Sequence, residues 1–248
     1  MKNSILALIS ILFACQAQAA IVTGEIRGVV YNSYSEVGGA DIYNGQELIA
    51  NFRYDTDAAQ LYDYYAGVDH TAEWKDTNAD DSWVDISYTI GSTLFDVVLD
   101  PLHKILDKVK VVNDDANGAD MFMVNEQDIF ETNRHDYAYF YFYDYVNDLV
   151  NSTDVVQQLA WEDLNTTDGG CASSNASDSA CGHFYAHDYL YNTDTKKMQS
   201  YHKVSAYLTS ANINYGEVAE PASVFLLGLG LVGVGMMHRR KVFMPASV

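Results

Sequence analysis

"VDISYTI", residues 84–90, alternates Val84, Ile86, Tyr88 and Ile90 with Asp85, Ser87 and Thr89. A period of two is the signature of a strand with one buried and one wetted face. "KVSAYLT", residues 203–209, repeats the pattern with Val204, Ala206 and Leu208 on one side. "IRGVVY" from Ile26, "IANFRYDT" from Ile49 and "TLFDVVLD" from Thr93 are further strand candidates. Between "KVKVV" and "MFMV" lies "NDDANGAD", whose Asn117-Gly118 pair suits a tight hairpin turn because both residues tolerate positive φ. Turn signals recurring at short spacing predict an all-β domain of the β-sandwich or jelly-roll kind. Helical patterns are scarce. In "DPLHKILDKV", residues 100–109, Asp100 caps, Pro101 fits the first turn, and Leu102, Ile105, Leu106 and Val109 share a face. "STDVVQQLA", residues 152–160, carries a shorter one, and both runs are short enough to be strand instead.

Composition agrees with a strand-rich reading. Asp outnumbers Glu by 25 to 9, and Asp favours turns and side-chain-to-backbone bonds where Glu favours helices. Residues 20–219 hold 33 acidic and 10 basic side chains, a net charge of −23. Such a surface repels nucleic acid, whose binding rests on Lys and Arg at the phosphates, and anionic lipid headgroups alike. About 200 residues suffice for one domain with a real core.

The N-terminus reads as an export signal over residues 1–19, with Lys2, the apolar "ILALISILFA" and then "AQA" at 17–19. The alternative there is lipid modification at Cys15, but Phe13 is too bulky for the usual slot before such a cysteine. Cys171 and Cys181 flank "ASSNASDSA", a segment with little to pack, and a disulfide between them would pin that loop in an oxidising compartment.

The C-terminus holds sixteen uncharged residues, 222–237, followed by the basic cluster His238, Arg239, Arg240 and Lys241. As a helix this run would span about 24 Å, short of the roughly 30 Å hydrocarbon core. The basic cluster fixes the bulk of the protein on the far side of the membrane. "VAEPASVFLLGLGLVGVGMMHRRK", residues 218–241, resembles the sorting signal of PEP-CTERM proteins: a short Pro-Glu-Pro-like motif, a Gly- and Leu-rich apolar helix, and arginines. The resemblance implies a Gram-negative source, exosortase as the processing partner, and passage through an inner-membrane intermediate to the cell surface or the extracellular space. Glu220 and Pro221 match the last two positions of the motif, and Arg239 and Arg240 match its basic end. Ala219 stands where the first proline is usual, and "VFMPASV", residues 242–248, forms a short tail beyond the arginines. A permanent single-span anchor is the alternative. The expected organisation is a signal peptide at 1–19, a β-sandwich ectodomain at 20–217 and the sorting signal at 218–241, with transient membrane contact through its helix.

Within the body, "YAYFYFYDY", residues 137–145, is the main aromatic feature. As a strand it places Tyr137, Tyr139, Tyr141, Tyr143 and Tyr145 on one face, and Ala138, Phe140, Phe142 and Asp144 on the other. The tyrosine face suits saccharides, whose apolar faces and hydroxyls match flat rings with polar tips; the alternative is ordinary packing. "DTNADD" at 76–81 and "NDDANGAD" at 113–120 space oxygen ligands as calcium loops begin, but Asp81 stands where that turn needs Gly. His183 and His187 are four apart, without the glutamate a zinc protease requires after the first. No nucleophile elbow, phosphate loop or dinucleotide fingerprint occurs, and no catalytic residue, metal or cofactor is expected. The reading is a non-enzymatic, exosortase-sorted surface or matrix protein associated with exopolysaccharide. The alternative is a secreted polysaccharide hydrolase using unidentified carboxylates.

Overall fold

The computed structural model describes residues 21–36, 38–59, 61–65, 71–75, 82–97, 104–113, 120–131, 133–144, 149–150, 152–155, 157, 159–161 and 180–216. The described residues all fall within one compact unit, Ile21–Gly216. They form an all-β body, and its fourteen strands belong to one antiparallel sheet. In chain order these are β1 (Ile21–Ser35), β2 (Gly39–Ala40), β3 (Glu47–Asp55), β4 (Leu61–Tyr65), β5 (Thr71–Lys75), β6 (Val84–Ile90) and β7 (Thr93–Asp96). They continue as β8 (Lys104–Ile105), β9 (Lys108–Val112), β10 (Asp120–Glu131), β11 (Arg134–Asp144), β12 (Leu159–Trp161), β13 (Cys181–Asn192) and β14 (Lys197–Gly216). Their order across the sheet is β4-β5-β9-β10-β11-β13-β14-β1-β3-β6-β7, with β12 on β14, β2 on β1 and β8 on β10.

The expected alternation is present. Val84, Ile86, Tyr88 and Ile90 are buried in β6, as are Val204, Ala206 and Leu208 in β14 and Ala138, Phe140 and Phe142 in β11. Two-residue turns need special backbone, and Gly91 supplies it between β6 and β7 at φ 59°. β9 and β10 pair from Val112↔Met121, the hairpin expected around Asn117-Gly118, although residues 114–119 lie outside the described set. The sheet is open and continuous rather than split into two, and it curls so that its inward faces meet. Phe52 of β3 lies 4.7 Å from Phe140 of β11, and Tyr88 of β6 lies 5.0 Å from Phe184 of β13, centroid to centroid. Close approach needs room. A Cβ on Gly24 would sit 2.4 Å from the Phe52 ring, and one on Gly182 would sit 2.7 Å from the Phe142 ring.

The helical readings are corrected in part. Residues 104–105 and 108–112 form β8 and β9, pairing with β10 through Asp128↔Ile105 and Val124↔Val109. Val109 and Val111 both face the core, a two-residue period that Ile105 and Val109 can satisfy as well as a helical one. Leu159–Trp161 pairs with β14 as β12, so the 152–160 helix is also absent among the described residues. Among those residues no helix is long and apolar enough to cross a membrane, and the apolar run 222–237 lies outside them.

Buried carboxylates complete the curl. β7 pairs with β6 only as far as Ser87, leaving the amides of Val84 and Ile86 beyond its end. Asp107, fully buried, accepts from Ser82 Oγ at 2.6 Å, from the amides of Trp83 and Val84 at 3.1 Å each, and from the amide of Gln127 at 3.3 Å. Glu126, reaching in from β10, accepts the Ile86 amide at 2.6 Å. Burial pushes Asp107 up to about 6 and, reinforced by the charge on Asp107, pushes Glu126 up to about 10. The folded state therefore holds a proton on Glu126 that the unfolded chain releases near its ordinary value, so this group destabilises the fold progressively as pH rises between the two. We expect the pH dependence of denaturation to contain a falling component of about 1.4 kcal/mol per pH unit across neutrality. Glu126→Gln, which keeps the acceptor for Ile86, should remove that component, as urea melts from pH 5 to pH 9 would show.

Candidate functional site

Strand register determines what shares the outward face. Starting from the tyrosines of β11, Tyr139 stands opposite Asn125 of β10 and Tyr185 of β13, and Tyr185 stands opposite Ser205 of β14. The next row is Met123, Tyr141, His183 and Tyr207; a third is Gln127, Tyr137, His187 and Lys203. Tyr137, Tyr139, Tyr141 and Tyr143 are half-buried while their neighbours Ala138, Phe140 and Phe142 are fully buried, so the expected division of β11 into two faces is present. Tyr145, Cys171, and the sorting residues Glu220, Pro221, Arg239 and Arg240 lie outside the described residues, as do the calcium-like stretch 76–81 and residues 114–119 of the other.

The rings form a continuous array. Along β11 the centroids of Tyr137, Tyr139, Tyr141 and Tyr143 are 5.7, 6.2 and 5.1 Å apart in turn. Across strands Tyr139 lies 5.2 Å from Tyr185, and Tyr141 lies 5.4 Å from His183. Tyr31 of β1 closes the far side, stacked on Tyr207 at 4.2 Å with its hydroxyl 3.2 Å from that of Tyr185. Sequence reading found the β11 tyrosines alone. The β13, β14 and β1 partners are scattered over more than a hundred residues of chain and become neighbours only through register; "HFYAH" at 183–187, with its aromatic and imidazole alternation, was the available signal.

Where pairs such as Tyr31–Tyr207 and Tyr139–Tyr185 stack, ring faces are occupied by each other, so the array offers ring edges and phenol hydroxyls. Burial pushes Tyr137 and Tyr185 up to about 12 and raises Tyr139 and Tyr141. These groups therefore stay neutral in ordinary conditions and can both donate and accept hydrogen bonds. His187 is engaged at both ring nitrogens, by Ser200 Oγ at 2.8 Å and by the Tyr137 hydroxyl at 3.4 Å. Burial, followed by the charge of Lys203, lowers its pKa. No group of His, Cys, Asp and Glu among the described residues is arranged to hold a metal ion. Cys181 is disulfide-bonded at the start of β13, beside Tyr143 in register.

The inward face concentrates acids. Asp128, Asp136, Asp188 and His202 stand opposite one another across β10, β11, β13 and β14. Arg134 grips Asp188 with both prongs, at 3.2 and 2.9 Å, and lies over the Tyr201 ring. His202 Nε2 meets the Tyr88 hydroxyl at 2.8 Å, and burial pushes this imidazole down to about 4.

Tyr185→Phe would remove the hydroxyl that links Tyr31 to the array while keeping the ring. A loss of about 1 kcal/mol in unfolding free energy, measured by denaturant melts, is expected.

No curated protein and no solved structure matches the chain. The tail does match: residues 217–241 fit the PEP-CTERM protein-sorting motif, the arrangement of acidic-proline start, apolar run and arginines described above. The motif implies processing by exosortase and delivery to the cell surface or the extracellular space, and on this ground the chain is a carrier of the PEP-CTERM protein-sorting motif.

Proposed function

We propose that this is a non-enzymatic surface or matrix protein that engages exopolysaccharide through the outward tyrosine face of its sheet. The observation carrying this reading is the contiguous array of Tyr31, Tyr137, Tyr139, Tyr141, Tyr185 and Tyr207 over four neighbouring strands. Neutral phenols on a rigid sheet match saccharide hydroxyls without a large ordering cost, because each ring is already held by its neighbours. The buried acids support a structural role more readily than hydrolysis. Asp107 and Glu126 accept backbone amides of β6 and the 82–83 segment, and Asp120 accepts the Val150 amide at 3.1 Å. In this reading the sorting signal contacts the membrane in transit, through the apolar run 222–237, and the body acts outside the cell.

Two measurements test this. In the native host, Arg239→Ala with Arg240→Ala should leave a longer precursor in the cell fraction and deplete the mature protein outside, seen by intact mass. The secreted protein should retard in gels containing the host's own exopolysaccharide, and Tyr139→Ala with Tyr185→Ala should weaken that retardation about ten-fold, in line with about 1–2 kcal/mol for the hydrogen bonds of two phenol hydroxyls. Release of reducing sugar ends by the wild-type protein would replace this reading with the hydrolase.

A further inference from the structure

The chain as a whole carries a net charge of −20, yet its acids are not spread evenly over the sheet. On β10, β11 and β13 the acidic side chains Asp120, Glu126, Asp128, Asp136, Asp144 and Asp188 all fall in the inward alternation, in step with Phe122, Phe140 and Phe184. Outward positions on the same strands are Met121, Met123, Asn125 and Gln127, then His135 and the four tyrosines, then His183, Tyr185, His187 and Tyr189; of these Met121, Asn125 and His187 are buried and the others half-buried. Among the described side chains, then, the outward stretch from Met121–Gln127 of β10 across to β13 contains no carboxylate. Lysines border it on both sides. Lys108 and Lys110 of β9 stand opposite Asn125 and Met123, and Lys203 of β14 stands opposite His187.

The arrangement is costly for the protein alone. Acids placed inward require desolvation, which is why Asp107 and Glu126 have raised pKa values. Lys75 of β5 stands directly opposite Lys108, and like charges facing each other across strands destabilise a sheet, while Glu73 of β5 stands opposite Lys110. Glu73 answers part of this with an ion pair to Lys75 at 3.6 Å, and the Tyr62 ring lies under the same ammonium at 3.1 Å.

We propose that the outward face of β9, β10, β11, β13 and β14 binds an anionic, carboxylate-bearing polysaccharide, with Lys108, Lys110 and Lys203 meeting its carboxylates and the intervening phenol hydroxyls meeting its hydroxyls. The inference rests on the saccharide reading above and narrows it to one charge class. Charge spacing favours such a polymer over nucleic acid. A duplex presents a negative charge about every 1.7 Å along its axis. Here the cations of β9 and β14 are separated by four strand spacings, roughly 19 Å, filled with neutral donors. A chain with one carboxylate per sugar, or fewer, is the better fit to sparse cations set in a field of hydroxyls. The strongly acidic remainder of the body repels any polyanion that strays from this face.

The test uses the full mature protein and three probes: polygalacturonate, an uncharged glucan, and single-stranded DNA, each followed by affinity electrophoresis at two salt concentrations. Binding should be strongest to polygalacturonate and should fall with added salt. Lys108→Glu with Lys110→Glu should reduce it by about ten-fold or more. The control Lys196→Glu with Lys197→Glu, in and beside the β13–β14 turn, should leave it unchanged. Equal binding to the uncharged glucan, indifferent to the lysine changes, overturns the anionic class and leaves the saccharide reading standing. Equal loss in the control pair overturns the assignment to this face. Preference for DNA overturns the ligand class, and no retention by any of the three probes, nor by the host's own polymer, ends both readings.

Discussion

Two buried acid side chains, Asp107 and the protonated Glu126, tie the limbs of this curled sheet together. An open antiparallel sheet of this width has no partner for the part of β6 that outruns β7, and the buried amides there need acceptors. Asp107 and Glu126 supply them from the opposite limb, so the inward faces are tied by hydrogen bonds as well as packed by Phe52, Phe140, Tyr88 and Phe184. Apolar burial gives the curl most of its driving force but has no direction. The carboxylate bonds add the direction, fixing which residue of β10 lies under which residue of β6. The rows of the outward face are set by the ladders of β10, β11, β13 and β14, because strand register is shared by both faces of a sheet.

Much of the fold was legible from alternation. β6 coincides with the "VDISYTI" run, β14 contains "KVSAYLT", and the two faces of β11 are separated as the Tyr/Phe alternation predicts. Failures have physical causes. Ile105 and Val109 fit helical and strand periods equally over so short a run, and pairing with β10 decided between them. "DMFMVNEQD" is harder: Met121 and Met123 on one face and Phe122 and Val124 on the other leave no apolar contrast, so nothing local showed that Glu126 and Asp128 point inward. The expected sandwich of two sheets and the single open sheet share the same strand patterns. What separates them is which strands bond, a non-local fact.

The site was half visible for a related reason. A strand displays its own alternate residues in the sequence, but its neighbours across the sheet are set by topology. Tyr139 and Tyr141 could be read; Tyr185, Tyr207 and Tyr31 could not be assigned to them until β13, β14 and β1 took their places. Charge segregation was hidden altogether. A net charge read from composition describes the molecule at long range, whereas the outward rows of β10 to β13 present a surface of a different character at contact range.

The last strand of the body has a mechanical meaning. β14 runs from Lys197 to Gly216, is bonded to β1 along one edge from Ser35↔His202 to Ile21↔Gly216, and is bonded to β13 and then β12 along the other. The sorting motif begins at the very next residue, 217. A pull on Gly216 along the strand would load the ladder between β14 and β1, which runs unbroken in direction from one end of β1 to the other. Such a load shears many hydrogen bonds together instead of peeling them one at a time.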